Sequence, residues 1–115
     1  MHSFELVYEA EEDVLEVTFA DYEEHFARSV ALNDNILMHA DIGLGTVWGL
    51  TFYAYTQLLQ VNETQLDGLQ PLSEIESRRI LTLLCVPPAS YFLEIISPGD
   101  LLARVKAPHL QDLIG

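Results

Sequence analysis

The stretch Tyr8-Glu9-Ala10-Glu11-Glu12-Asp13-Val14-Leu15 decides how this chain begins to fold, because it is a short acidic link between two apolar, β-prone segments. Residues 4–8 are mostly apolar, and in 14–19 the apolar side chains alternate with Glu16 and Thr18. Such alternation turns one face of a strand toward a core and the other toward water. The stretch therefore predicts a β-hairpin.

The remainder of the first half predicts further strands of an antiparallel meander. The segments between them are short and rich in turn formers, of which Asn33-Asp34-Asn35 and Gly43-Leu44-Gly45 are the clearest. Links this short leave no room for parallel crossovers. The predicted strands are Phe4–Tyr8, Val14–Phe19, Phe26–Leu32, Ile36–Ile42 and Thr46–Phe52.

The second half predicts helices. Ser73-Glu74-Ile75-Glu76 matches a capping box, in which Ser73 accepts from the Glu76 amide and the Glu76 side chain reaches back to the Ser73 amide. A helix over Glu74–Leu84 is expected to follow and to end before Pro87-Pro88.

The pattern beyond the prolines is ambiguous. Residues 91–96 fit either a strand or a short helix, and Leu101, Leu102 and Val105 have helical spacing. Residues 109–114 predict a short terminal helix. The expected fold class is α+β: residues 1–55 form an antiparallel β-meander of about five strands, and residues 56–115 form a mostly helical extension packed on one face.

Length and composition indicate one domain over residues 1–115, with a core large enough to need neither disulfides nor a metal. The chain has 115 residues, and 50% of them are hydrophobic. Its one cysteine, Cys85, lies in the apolar run 83–86, which predicts a buried thiol. No cofactor is implied by any motif.

The charge balance restricts the possible partners. The 18 acidic and five basic residues give a formal net charge of −13, which disfavours nucleic acid and anionic membranes and permits a basic protein partner. The N-terminus has no signal-peptide pattern, and no window reaches the roughly 18 apolar residues of a membrane span. A cytoplasmic location is therefore expected.

Two segments resemble the small bacterial domain-of-unknown-function family numbered 2283. The run Tyr8-x-x-Glu11-x-Asp13-Val14-Leu15 is similar to the family's opening, although Glu9-Ala10 replaces the usual Asp-Pro. The segments 34–41 and 46–50 are similar to its second signature, a strand ending in aspartate that turns at glycine and returns through a further glycine. The resemblance covers residues 4–55. It implies the fold of a bacterial family that has no established activity. Its fold-marking positions are Tyr8, Glu11, Asp13, Asp41 and Gly49.

His39 and Asp41 are the candidate site residues, because side chains two apart on a strand lie on the same face. Such a pair can act as general base and orienting carboxylate, or supply two ligands to a divalent metal. The alternative is that both lie on the solvated face of the sheet, or that Asp41 caps the Gly43–Gly45 turn. No motif completes a catalytic or metal site around them.

Two further features predict local structure. The acidic turn lacks the ligand spacing of a calcium loop, so Asp13 is expected to hydrogen-bond amides of its own turn. Gly49 inside a strand predicts a bulge or a close approach, with a packed helix or the neighbours of Trp48 as the expected cause. The aromatic residues near it, with Tyr53 and Tyr55 among them, fit either a core beneath the helices or a self-association surface.

Three functional hypotheses follow. The first is a noncatalytic interaction or regulatory module that forms a homodimer through sheet edges or the aromatic region. The second is a small enzyme, or a ligand- or metal-binding protein, that uses His39 and Asp41. The third is an acidic partner or inhibitor of a basic protein.

Overall fold

Two antiparallel sheets and one principal helix form the part of the chain that the computed structural model describes, residues 5–19, 27–41 and 43–107. The strands are β1 (Glu5–Glu9), β2 (Val14–Thr18), β3 (Ala27–Asn33), β4 (Ile36–Asp41), β5 (Val47–Tyr53), β6 (Thr64–Gln65), β7 (Leu93–Ser97) and β8 (Leu102–Val105). The helices are α1 (Tyr55–Leu58) and α2 (Glu74–Leu84), and single 3₁₀ turns occupy Asp67–Leu69 and Ala89–Tyr91.

The larger sheet confirms the α+β class and the five strands predicted in the first half. Its order is β1-β2-β5-β4-β3, with each neighbouring pair antiparallel. The prediction of a simple meander is wrong at one connection, because β2 pairs with β5 and not with β3. Strands β2 to β5 thus form a Greek key. Short turns fix which strands pair as hairpins, whereas the longer link over residues 19–26 leaves the choice of neighbour to tertiary packing.

One face of this sheet carries the core. On β2 and β5 the paired residues Leu15 and Phe52, and Val17 and Leu50, are buried. Buried residues of β4 and β3 belong to the same core cluster, which also includes residues of α2 and of the smaller sheet. Full burial of such a side chain stabilises the fold by roughly 1.5–3 kcal/mol. The fully buried side chains contributed from the covering side include Ile80, Leu84, Phe92 and Leu93.

Helix α2 has the predicted bounds and the predicted N-cap. The Ser73 hydroxyl accepts a hydrogen bond from the Glu76 amide at 3.2 Å. The reciprocal half of the capping box does not form, because the Glu76 carboxylate instead accepts from Arg28 of β3 at 2.8 Å. This ion pair attaches the first turn of the helix to the edge of the large sheet.

The prediction of a mostly helical C-terminal extension is wrong. β6, β8 and β7 form a second antiparallel sheet in that order, and residues 93–97 and 102–105 pair as a hairpin. The helical spacing of Leu101, Leu102 and Val105 was misleading, because Ala103 and Val105 are buried while Arg104 between them is exposed. That alternation has the period of a strand.

The prediction that the Cys85 thiol is buried is also wrong. Cys85 is exposed and forms the C-cap of α2. Leu84 takes the core-facing position, and one further residue turns the side chain about 100° round the helix.

Some predictions lie outside the described residues. They are the starts of the first and third strands at Phe4 and Phe26, the end of the fourth at Ile42, and the terminal helix over 109–114. Within the described part, no helix is long and apolar enough to cross a bilayer.

Candidate functional site

Strand β1 is an exposed edge of the large sheet. It pairs with β2 in the register Val7 to Glu16, and β2 is its one strand neighbour in the described part of the chain. Its three apolar side chains remain well exposed, at 42% for Leu6, 40% for Val7 and 46% for Tyr8. Alternate residues of such an edge turn backbone N–H and C=O groups away from the sheet, where they can pair with an added strand.

The opposite edge of the same sheet is covered at the C-terminal end of β3. Gly68, in the 3₁₀ turn over Asp67–Leu69, lies so close to β3 that a Cβ at this position would collide with the carbonyl oxygen of Ala31. The Asn33 side chain of β3 donates to the Thr64 hydroxyl and to the Gln65 carbonyl, each at 3.1 Å. Within the described residues the two edges therefore differ: β3 is blocked at its C-terminal end, and β1 keeps its apolar side chains exposed.

Asp13 fixes the hairpin that presents β1. It has a positive φ of 55°, and its carboxylate accepts from the Tyr8 hydroxyl at 2.7 Å. The same carboxylate accepts from the backbone N–H of Thr56 at 3.1 Å and from the Thr56 hydroxyl at 2.7 Å. The sequence predicts that the Asp13 carboxylate accepts hydrogen bonds from amides of its own turn. The structure corrects this, because the amide belongs to α1.

These hydrogen bonds also shift two pKa values. Those from Thr56 and then from Tyr8 lower the pKa of the Asp13 carboxyl below its ordinary 3.8. The hydrogen bond to Asp13 is the main reason that the pKa of the Tyr8 hydroxyl is raised above 10.0. The network favours the ionised form of Asp13 and couples the turn end of the β1–β2 hairpin to α1.

An apolar groove runs beneath the inner face of β1. It has a volume of about 340 Å³ and is open to solvent. Tyr55 forms one wall of the groove. Its ring centroid lies 5.6 Å from that of Phe52, and its hydroxyl donates to the Lys106 carbonyl at 3.4 Å. The residues that line the groove are Leu6, Tyr8, Leu15, Tyr55, Thr56 and Phe92.

The outer face of the edge is acidic. Glu5 and Glu9 lie on the same side of β1 as Val7, and Glu16 is the cross-strand partner of Val7. The ion pairs in the described part of the chain join Arg28 to Glu76, Arg78 to Glu74 and Arg104 to Glu94, and they include none of these acids. The edge thus has an apolar side that faces the groove and a carboxylate side that faces water.

The structure places His39 and Asp41 in separate networks. His39 Nδ1 lies 2.9 Å from the Ser29 hydroxyl and Nε2 lies 2.8 Å from the Thr51 hydroxyl. The Asp41 carboxylate accepts from the amides of Gly45 at 2.6 Å and Thr46 at 3.0 Å, the turn-capping arrangement. The sequence does not reveal Ser29 and Thr51 as partners of His39, because the sheet register brings them together.

His39, with the Ser29 and Thr51 hydroxyls beside it, has limited chemical capacity. Burial lowers the pKa of His39 below its ordinary 6.5, and the nearby Glu16 carboxylate opposes that shift. A neutral imidazole has one donor and one acceptor, and the two hydroxyls use both. Among the described residues, no three His, Cys, Asp or Glu side chains are grouped so as to hold a metal ion.

Gly49 has a structural explanation. A register shift in the pairing of β4 with β5 between His39 and Ala40 marks an irregularity there, as the sequence predicts. The close approach comes from β2 and not from a helix, because a Cβ on Gly49 would collide with the carbonyl oxygen of Val17. Of the aromatic residues around it, Phe52 is buried in the core and Tyr53 is exposed. Self-association through the exposed ones stays a prediction.

A second cleft of about 410 Å³ lies between the Gly43–Gly45 turn and α2. Arg78 and Arg79 line it, but Arg78 is paired with Glu74. The Arg79 guanidinium donates to the Gly43 carbonyl at 3.5 Å across this cleft.

Comparison with known proteins adds no further assignment: no family model, no curated protein and no solved structure matches the chain.

Proposed function

We propose that this chain is a noncatalytic interaction module that binds a polypeptide strand by adding it to β1. The observation that carries the proposal is the difference between the two edges of the large sheet. The C-terminal end of β3 is blocked by the 3₁₀ turn at Gly68 and by the Asn33 hydrogen bonds, whereas the β1 edge is exposed beside an apolar groove. Strand addition takes its affinity from main-chain hydrogen bonds and its specificity from alternate side chains.

The rigid attachment of the edge supports this proposal. A bound strand loses less affinity to ordering when the receiving strand is already fixed. Asp13 provides that fixation, since it joins the Tyr8 side chain to the first turn of α1. Self-association through β1, the homodimer predicted from sequence, is one form of the proposal. Membership of family 2283 stays a prediction and carries no part of it.

A displayed random-peptide library tests the proposal. The variants Leu6→Pro and Val7→Pro are made separately, because only alternate residues of β1 turn their N–H groups away from β2. Proline at one of these outward positions removes a donor to the added strand while sparing the β1–β2 ladder. Circular dichroism identifies the variant that remains folded. Enriched peptides that bind the parent and not this variant support the proposal. Absence of enrichment, or equal binding to the folded variant, contradicts it.

The Ser29–His39 contact favours a second candidate, a ligand or hydrolytic site on the outer face of the sheet. A hydroxyl 2.9 Å from an imidazole nitrogen is the geometry of a nucleophile and its base. The edge remains the better-supported site, because the groove lies beside β1 and Asp41 serves the turn. Retained activity of His39→Ala against any substrate found for the chain would exclude this candidate.

A further inference from the structure

We infer that the strand received by β1 comes from a different protein and carries basic residues at both ends of a short apolar alternation. The inference rests on the proposed function, and it names the chemistry of the partner. Two properties of the edge decide that chemistry: the carboxylates on its outer face and the groove on its inner face.

A second copy of this chain is a poor partner. In an antiparallel pair of two β1 strands centred on Val7, Glu5 of each copy lies opposite Glu9 of the other. Like charges directly opposite each other destabilise a strand pair. Centring the pair on Leu6 or Tyr8 separates the carboxylates but shortens the overlap to three of the five residues in β1. The net charge of −13 on each copy adds a repulsion at long range.

A basic strand satisfies the same positions. In an antiparallel strand centred on Val7, the residues opposite Glu5 and Glu9 project from the acidic outer face, where Lys or Arg forms favourable cross-strand pairs. Glu16 lies within that face, and the exposed Glu11 and Glu12 extend the negative field past the end of the strand.

The inner face requires apolar residues. The two residues opposite Leu6 and Tyr8 project toward the groove lined by Leu15, Tyr55 and Phe92. Burying apolar side chains there removes the exposed surface of Leu6 and Tyr8 from water. The geometry therefore assigns a five-residue pattern: basic, apolar, any residue, apolar, basic.

Labelled eleven-residue peptides test this pattern by fluorescence anisotropy. Their central residues are Lys-Val-Thr-Val-Lys, the acidic counterpart Glu-Val-Thr-Val-Glu, and the face-swapped Val-Lys-Thr-Lys-Val, all with the same Gly-Ser flanks. We expect the first to bind at least about tenfold more tightly than the second, since two attractive pairs replace two repulsive ones. We also expect it to bind more tightly than the third, and to weaken as salt is raised.

Two double variants separate local pairing from net charge. Glu5→Lys with Glu9→Lys changes the strand, and Glu11→Lys with Glu12→Lys changes the adjoining turn. Each substitution adds two charges, so both pairs take the formal net charge from −13 to −9. We expect the strand variant to prefer the acidic peptide and the turn variant to keep the preference of the parent.

The failures are distinguishable. Equal affinity for the basic and acidic peptides, with both lost in the folded proline variant, overturns the basic partner and leaves strand addition standing. A homodimer that the folded proline variant disrupts likewise overturns the basic partner and leaves strand addition standing. Binding of the basic peptide that the folded proline variant leaves unchanged overturns strand addition as well. Failure of all three peptides to bind overturns the basic pattern, and it overturns strand addition too when the random-peptide library also gives no enrichment.

Discussion

The Asp13 carboxylate accepts two hydrogen bonds from Thr56, one from its backbone N–H at 3.1 Å and one from its hydroxyl at 2.7 Å. This contact joins the turn of the first hairpin to the first helix, although 43 residues separate the two in sequence. The Tyr8 hydroxyl donates to the same carboxylate. The exposed edge strand is thereby held in one position relative to the groove beneath it.

We therefore expect Asp13→Asn to destabilise the fold. The amide keeps one acceptor oxygen, but it loses the charge and cannot accept from Tyr8 and both Thr56 donors equally well. Urea denaturation of the variant should give a lower midpoint than that of the parent. Glu12→Gln is the matched control, because Glu12 is an exposed acid of the same turn, and it should leave the midpoint unchanged.

The same contact predicts a loss of stability in acid. The folded-state pKa of Asp13 lies below its ordinary 3.8, so its contribution is fully present above that value and disappears as the pH falls through the folded pKa. The difference in unfolding midpoint between the parent and Asp13→Asn should shrink as the pH is lowered from 6 toward 2. A difference that stays constant would contradict an ionised Asp13 in the folded state.

Gly49→Ala should cost about 2 kcal/mol or more in free energy of unfolding, because the added methyl group collides with the backbone carbonyl of Val17 and the strands must separate. Gly99→Ala is the control, since a Cβ there meets nothing within 4 Å, and it should change the free energy by less than about 0.5 kcal/mol. Equal effects of the two substitutions in urea denaturation would contradict the close approach.

His39 should also make stability decrease as the pH falls, at a higher pH than Asp13 does. Its folded pKa lies below 6.5, so the unfolded chain binds a proton more readily, and stability decreases as the pH falls below 6.5. His39→Gln should therefore lose less thermal stability than the parent between pH 7.5 and pH 5. His2, His25 and His109 are present in both proteins, so the difference between the two curves reports on His39. Parallel curves would contradict the lowered pKa.

Cys85 should react with a thiol reagent in the native protein, because it is exposed at the end of α2. A colorimetric disulfide reagent should modify one thiol per chain without denaturant. Modification that requires urea would favour the buried thiol predicted from the apolar run.

Local pattern was sufficient for some of these features and not for others. The alternation of Leu15 and Val17 with Glu16 identified β2, and Ser73 with Glu76 identified the start of α2, because both signals depend on neighbours in sequence. The pairing of β2 with β5 depends on which apolar face completes the core, and no short motif encodes it. For the same reason β7 and β8 were not distinguished from helices, since a few apolar residues fit either period.

The candidate site shows the same division. Leu6, Val7 and Tyr8 were recognised as a strand, but their exposure follows from β1 being at the edge of the sheet. Thr56 meets Asp13 only when α1 packs beside the hairpin, and Ser29 and Thr51 meet His39 only through the sheet register. Contacts of this kind become visible when the topology is known.

Amide hydrogen exchange of β1, followed by NMR with and without the Lys-Val-Thr-Val-Lys peptide, detects strand addition at the edge itself. Alternate residues of Glu5–Glu9 have outward N–H groups, and strand addition gives these groups carbonyl partners. We expect the peptide to slow exchange at those alternate amides and to leave the amides of α2 unchanged. Binding of the peptide with unchanged exchange throughout β1 would contradict strand addition.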